Sequence, residues 1–223
     1  MENKPTSFLI NKAENSSSIT LQIMKPNKIF LKSIMETNIL IAPSLNSSFT
    51  KLQFIGSSVT TLAGFIEKIF LETGSRKLPY NTVVQIIWCI SQQHAMLEKN
   101  GFGFYSLAIE DIMVINDWDF FCTNPSLTHP INSDFKFMFN HPFERNDFSS
   151  PEIQSLTKLP ACISVKTFYY SLGSLAFFCL FRNYFDQKEL IFDISLPIFG
   201  TKLHWCLERA LKLDIEKRCL IFI

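Results

Sequence analysis

Phe168-Tyr169-Tyr170-Ser171-Leu172-Gly173-Ser174-Leu175-Ala176-Phe177-Phe178-Cys179-Leu180-Phe181 is the stretch that decides the fold. Ser171, Gly173 and Ser174 are its only small interruptions. A bilayer-crossing helix takes about 20 apolar residues, so the run is too short to span a membrane. An apolar run of this length, without a polar stripe, reads as a helix buried on all sides. Other elements must therefore surround it. Working outward, Ser149-Ser150-Pro151-Glu152 lies upstream and Arg218 lies downstream.

The rest of the chain can supply that cover. Its 223 residues suit one compact domain or two small lobes. Hydrophobic residues make up 47% and charged residues 18%, a composition that fills a core and excludes a disordered chain. Phe is abundant at 23 and Gly scarce at 7. A net charge of +1 gives no global field to draw nucleic acid or an anionic membrane. The cysteines at 89, 122, 162, 179, 206 and 219 form no Cys-x-x-Cys pair, and no His stands at zinc-finger spacing. Buried, reduced thiols in a cytoplasmic protein are expected. The amino terminus, Met-Glu-Asn-Lys-Pro-Thr-Ser, lacks an apolar signal core. Without one, the glycosylation patterns at Asn15 and Asn46 carry little weight.

Along the chain, Ile19–Lys25 alternates and predicts a strand, broken by Pro26-Asn27. Residues 28–41 are ambiguous: Ile29, Phe30, Ile34 and Met35 suit a helix, Asn38–Ile41 a strand. Pro43–Ser48 reads as a loop and Thr50–Ile55 as a second alternating strand. Thr60 or Thr61 caps a predicted helix through Leu71, closed by Gly74. A second helix covers Asn81–Leu97, with Val83, Ile87, Ile90 and Leu97 as its stripe. Ile112–Ile115 and Phe120–Cys122, joined through Asn116-Asp117, predict a hairpin. Residues 123–163 hold five of the ten prolines and little periodicity, which predicts a long functional or mobile loop. Ser164 is placed to cap the buried helix, and a last helix spans Thr201–Leu211 before the polar turn at Asp214–Arg218.

The order of these pieces resembles the large lobe of a protein kinase. Phe104-Tyr105-Ser106-Leu107-Ala108-Ile109-Glu110-Asp111 stands where a kinase has His-Arg-Asp-Leu-Lys-Pro-Glu-Asn. Asn124-Pro125-Ser126 follows the hairpin in the place of Asp-Phe-Gly. Ser150-Pro151-Glu152 stands for Ala-Pro-Glu, and Tyr170-Ser171-Leu172-Gly173 for Trp-Ser-Leu-Gly. Leu213-Asp214 followed by Arg218 resembles the Asp-Pro-x-x-Arg ending. The resemblance implies an α+β, protein-kinase-like fold. A mainly helical C-terminal lobe over 59–223 would follow a truncated, β-containing N-terminal lobe over 1–58. A complete kinase domain takes about 250 residues, so the small lobe is the part cut down.

The same resemblance implies that the scaffold is kept and the chemistry lost. Glu152 and Arg218 are expected to pair, and Gly173 to let backbone approach the catalytic-loop region. By contrast, Ser106 replaces the Asp that orients the substrate hydroxyl, and a neutral hydroxyl cannot act as that anion. Ala108 replaces the Lys at the γ-phosphate. Asn124 replaces the principal magnesium ligand, and a neutral amide binds magnesium poorly beside a carboxylate. Asp111, in place of the second metal-binding Asn, keeps some capacity for a cation. No glycine precedes Gly56, so no glycine-rich loop covers a nucleotide. Lys25, with Glu36 as helical partner, is the best remaining candidate to anchor ATP, although a solvated charge is the simpler explanation of each.

The resulting expectation is a pseudokinase, similar to the divergent kinase-like proteins of large DNA viruses, located in the cytoplasm (the host's, for a viral protein). It would bind another protein, through the surface of 123–163, and have no nucleic-acid partner, no catalytic residues, and neither ATP nor magnesium as cofactor. One alternative is an active Ser/Thr kinase using Asp111 or Glu110 in an unorthodox metal site; another is an unrelated helical interaction module. His94, His129, His141 and His204 are scattered, and no Ser-His-Asp set follows from their spacing. Asp117-Trp118-Asp119 reads as the exposed hairpin turn, and Phe102, Phe104 and Tyr105 as packing residues.

Overall fold

The computed structural model describes residues 8–12, 17–185 and 196–220. Alternating residues near the amino terminus build an antiparallel sheet from β1 (Phe8–Lys12), β2 (Ser18–Ile23), β3 (Ile41–Leu45) and β4 (Lys51–Ile55). Its order is β1-β2-β4-β3. The register sets Leu21 opposite Leu52 and Ile19 opposite Phe54, so one face carries the apolar row. Helix α1 (Lys28–Glu36) buries Phe30, Leu31 and Ile34. Asn27 caps it, its side chain accepting from Phe30 N–H at 3.0 Å. Between Leu21, Leu52, Phe30, Ile34 and Phe121 a cavity of only about 10 Å³ remains, so sheet and helix are closely packed.

The ambiguity over 28–41 resolves as a helix, a turn with Asn38 at φ 58°, and a strand. Pro43, expected in a loop, lies within β3 instead. Strand β3 is at the sheet edge, where a missing N–H is tolerated.

The remaining elements enclose the apolar run. Helix α2 (Leu62–Thr73) is capped by Thr61, whose hydroxyl accepts from Gly64 N–H, and closed by Gly74 at φ 74°. Helix α3 (Tyr80–Lys99) follows. Strands β5 (Val59–Thr61), β7 (Ile112–Ile115) and β8 (Asp119–Cys122) form a three-stranded sheet. Asn116 and Asp117 turn the β7–β8 hairpin with φ 53° and 62°, a conformation that Asn and Asp tolerate better than most. Helix α5 (Thr167–Phe181) buries Phe168 and everything from Tyr170 to Leu180, and α6 (Lys202–Ala210) packs against it. Ser164 does not cap α5; the helix starts at Thr167 after Lys166, and Ser164 ends a strand.

The supposed loop over 123–163 is substantially ordered. It contributes β9 (Thr128–Pro130), β10 (Lys136–Phe139), the short helix α4 (Pro151–Gln154) and most of β11 (Ala161–Ser164). Strand β9 pairs with β6 (Phe102–Phe104), and β10 pairs with β11. Among the described residues no helix is long and apolar enough to cross a membrane. Cys89, Cys122, Cys179 and Cys206 are buried as expected, but Cys162 is exposed and Cys219 half-buried. Burial pushes the thiols of Cys89 and Cys179 up to about 12.

Candidate functional site

Two side chains fix the backbone of the segment around Ser106. Phe104 N–H donates to His94 Nδ1 at 3.1 Å, and Leu107 N–H donates to Ser171 Oγ at 2.8 Å. His94 comes from α3 and stacks on Phe168 of α5, with ring centroids 3.7 Å apart. Ser171 thus places a hydroxyl on a mainly apolar helix where a buried backbone N–H needs an acceptor. Gly173 acts elsewhere than expected. A Cβ there would stand 2.9 Å from Ala210 Cβ, so the close approach is between α5 and the end of α6, not to the Ser106 segment.

Ser106 itself is 0% exposed. Its hydroxyl lies 3.2 Å from Asn146 Oδ1 and 2.9 Å from Ser149 Oγ. Asn146 and Ser149 are held in turn: Phe148 N–H donates to Asn146 Oδ1 and Asn146 N–H to Ser149 Oγ. The 146–149 segment therefore closes over Ser106 and engages its hydroxyl in two hydrogen bonds. Ala108 is buried beside it.

Asp111 and Asn124 meet. Asn124 Nδ2 donates to Asp111 Oδ2 at 2.9 Å, while Asn124 Oδ1 accepts from Ser126 N–H at 3.0 Å. Those two bonds fix the amide with its NH₂ toward the carboxylate. A divalent cation wants oxygen donors, preferably anionic. One carboxylate facing an amide NH₂ is a poor fit for magnesium. Among the described residues no group of three or more His, Cys, Asp or Glu is placed to hold a metal ion.

Lys25 lies beyond β2 in an exposed bend rather than on the strand, and Glu36 is exposed at the end of α1. No salt bridge joins them among the described residues, and both are exposed, in keeping with the simpler explanation of each as a solvated charge.

Glu152 and Arg218 do come together. Arg218 Nη1 donates to Glu152 Oε1 at 2.6 Å and Nη2 to Oε2 at 3.0 Å, a bidentate pair. The Arg218 side chain is 0% exposed and that of Glu152 25%. Arg218 also donates to the carbonyls of Lys212 and Leu213 and lies over the Tyr170 ring at 4.9 Å. One guanidinium thus joins α4, α5 and the chain leaving α6. Burial pushes the Glu152 carboxyl up, but the hydrogen bonds and charge of Arg218 outweigh it and hold the group below its ordinary value.

Two features escape a reading by polarity. Gln93 and His94 are buried on α3, although polar residues are ordinarily assigned to the solvent face. Gln93 bridges to β8, donating to Cys122 O at 3.0 Å and accepting from Cys122 N–H at 2.8 Å. Their positions, three and four residues after Ile90, were the available signal. The second feature is a groove of about 830 Å³ beside β9 and β10, lined in part by Tyr105, His129, Phe139 and Phe143.

No protein-family model matches the chain, and no curated protein matches its sequence. Solved structures do match. The chain is similar to the kinase PK-1 of Cydia pomonella granulovirus, with a TM-score of 0.56 at 16% identity, over 97% of this chain and 91% of that one. It is also similar to a rhoptry kinase from Toxoplasma gondii, with a TM-score of 0.55 at 12% identity, over 97% of this chain and 72% of that one. The fold is protein-kinase-like.

Proposed function

We propose that this kinase-like chain is a pseudokinase, catalytically inactive and working by binding another protein. Residues 1–58 would be its reduced small lobe and 59–223 its large lobe. The observation that carries the proposal is the burial of Ser106 beneath Asn146 and Ser149; the sequence resemblance sets this residue where a kinase has its catalytic Asp. Phosphoryl transfer is catalysed by positioning and by charge that neutralises the transferring group. Here the hydroxyl carries no charge and has no path to a substrate. Ala108 offers the phosphate nothing, and Asn124 spends its amide on Asp111. These features support a chain without magnesium or ATP as working cofactors. A viral origin and action in the host cytoplasm belong to the same reading, and the likeness to a granulovirus kinase is compatible with them.

The test is a radiolabelled transfer assay with ATP, magnesium and generic protein substrates. The expected result is no transfer above background. Reproducible transfer that disappears in Asp111→Ala would overturn the proposal and establish an active kinase with an unorthodox metal site.

A further inference from the structure

The charge of the chain is divided unevenly along its length. Residues 1–58 hold six Lys against three Glu, whereas residues 59–223 hold fifteen Lys or Arg against seventeen Asp or Glu. A net charge of +1 therefore combines a basic part, +3, with a slightly acidic one, −2. The fold gathers the basic charge further. Strand β2 ends at Ile23, α1 starts at Lys28, β3 ends at Leu45 and β4 starts at Lys51. Ile23 N–H donates to Thr50 O at 2.8 Å, and the Lys28 ammonium lies 5.5 Å from the centre of the Phe49 ring. Residues 23–28 and 45–51 thus form one end of the amino-terminal sheet, and neither stretch contains an Asp or Glu.

Lys25, Lys28 and Lys51 are exposed at this end, and Lys32 is exposed one turn further along α1. None of the four joins a salt bridge among the described residues. Glu36 stands at the far end of α1, about 12 Å from Lys28 by the helix rise. The seven residues before Phe8 hold one Glu and one Lys, which cancel. The loop that presents Lys51 is held by Asn46, whose Oδ1 accepts from Thr50 N–H and Lys51 N–H at 2.8 and 2.9 Å.

An apolar side chain stands among these lysines. Met24, between Ile23 and Lys25, is 60% exposed. Unpaired ammonium groups around an exposed, unbranched apolar side chain suit the bilayer interface: the cations meet lipid phosphates and the thioether enters the acyl boundary. A nucleic acid is matched less well. Phe49, the aromatic ring at this end, is half-buried and faced by Lys28, so it offers bases no open stacking surface, and there is no Arg to read base edges.

We infer that this end of the amino-terminal sheet docks on an anionic lipid surface. Lys25, Lys28 and Lys51 face the headgroup phosphates, Lys32 stands behind them, and Met24 inserts between. Each lysine strengthens partition about fivefold, so the attachment is peripheral and reversible. The inference does not depend on whether the chain transfers phosphate.

The experiment sediments the whole protein with vesicles of one part phosphatidylserine to two parts phosphatidylcholine, and with phosphatidylcholine alone. The protein should sediment with the anionic vesicles, less as salt is raised, and not with the neutral ones. Combined Lys25→Gln, Lys28→Gln and Lys51→Gln should weaken partition about a hundredfold, and Arg at the same three positions should preserve it. Combined Lys77→Gln, Lys99→Gln and Lys158→Gln makes the same change in net charge on exposed residues elsewhere, and should bind like the parent. Met24→Ser should weaken partition severalfold. Unfolding midpoints should be unchanged throughout, since every substituted side chain is exposed. Equal binding to neutral vesicles, undiminished binding by the Lys25, Lys28 and Lys51 variant, or an equal loss in the distant triple variant would overturn the inference. Tighter binding of duplex DNA or RNA than of anionic vesicles at the same salt would overturn it in favour of a nucleic-acid surface.

Discussion

The Glu152–Arg218 joint and the Ser106 segment are both removed from solvent, yet they treat charge in opposite ways. At the joint, a fully buried guanidinium meets a carboxylate in two parallel hydrogen bonds and also caps two carbonyls. Around Ser106, the buried groups are a pair of hydroxyls and an amide. Charge is present where it ties α4, α5 and the end of α6 together, and absent from the hydrogen-bond partners of Ser106, where the proposed reading sets the lost catalytic site. A buried charge is tolerable only when fully paired. A neutral Ser–Asn–Ser cluster is cheaper to enclose, which is why the 146–149 segment can close over it.

The largest effect expected is at the joint. Arg218→Ala leaves the Glu152 carboxylate unpaired and strips two carbonyls of a donor. A loss of about 3–5 kcal/mol is expected, visible as a clear fall in the unfolding midpoint. An Arg218→Ala chain as stable as the parent would mean the joint does not hold these elements. Acid sharpens the same contrast. Because Glu152 is held below its ordinary value, its contribution is fully present above the unfolded carboxyl pKa, about 4.3, and is lost as pH falls through the depressed folded value. The stability gap between parent and Arg218→Ala should therefore shrink below about pH 4 in urea titrations. A gap that widens in acid would contradict the pairing.

Smaller effects probe the helix contact. Gly173→Ala sets a methyl 2.9 Å from Ala210 Cβ. Overpacking of this kind costs about 1–3 kcal/mol, partly offset by about 1 kcal/mol of helix propensity. A net loss near 1 kcal/mol is expected, and it should diminish in an Ala210→Gly background. If the two substitutions add without coupling, the close approach lies elsewhere. Asn124→Asp is the mildest: a second carboxylate beside Asp111 should cost about 1 kcal/mol at low ionic strength and less as salt is added. A salt-independent loss would point to packing rather than repulsion.

Legibility in the sequence followed the length of the physical signal. Helix α5 was readable because apolar character without a polar stripe persists across its turns. Helix α2 was readable because Thr61 and Gly74 mark its ends in the way backbone geometry demands. Strands β9, β10 and β11 were not, since each has only three or four residues and pairs with a distant partner, as Phe139 does with Ala161. Periodicity cannot be measured over so short a span. At the site, residue types indicated what Ser106, Ala108 and Asn124 lack, but not that Asn146 and Ser149 would cover Ser106. The contact joins residues some forty positions apart. Gln93 and His94 were hidden because polar side chains are ordinarily assigned to the solvent face, whereas Lys25 was carried too far by an alternation that the strand leaves at Ile23.

Equilibrium unfolding of Ser106→Asp tests the central claim most directly. In an open catalytic cleft a carboxylate at this position would be solvated and tolerated. Here it would be buried against Asn146 Oδ1 and Ser149 Oγ, neither of them a cation, with Ala108 as its near neighbour in the chain. A loss of about 3 kcal/mol or more relative to the parent is expected, greatest at neutral pH and relieved in acid as the carboxyl protonates. A Ser106→Asp chain as stable as the parent at neutral pH would show that the position is open to solvent, and would contradict the sealed position on which the pseudokinase proposal rests.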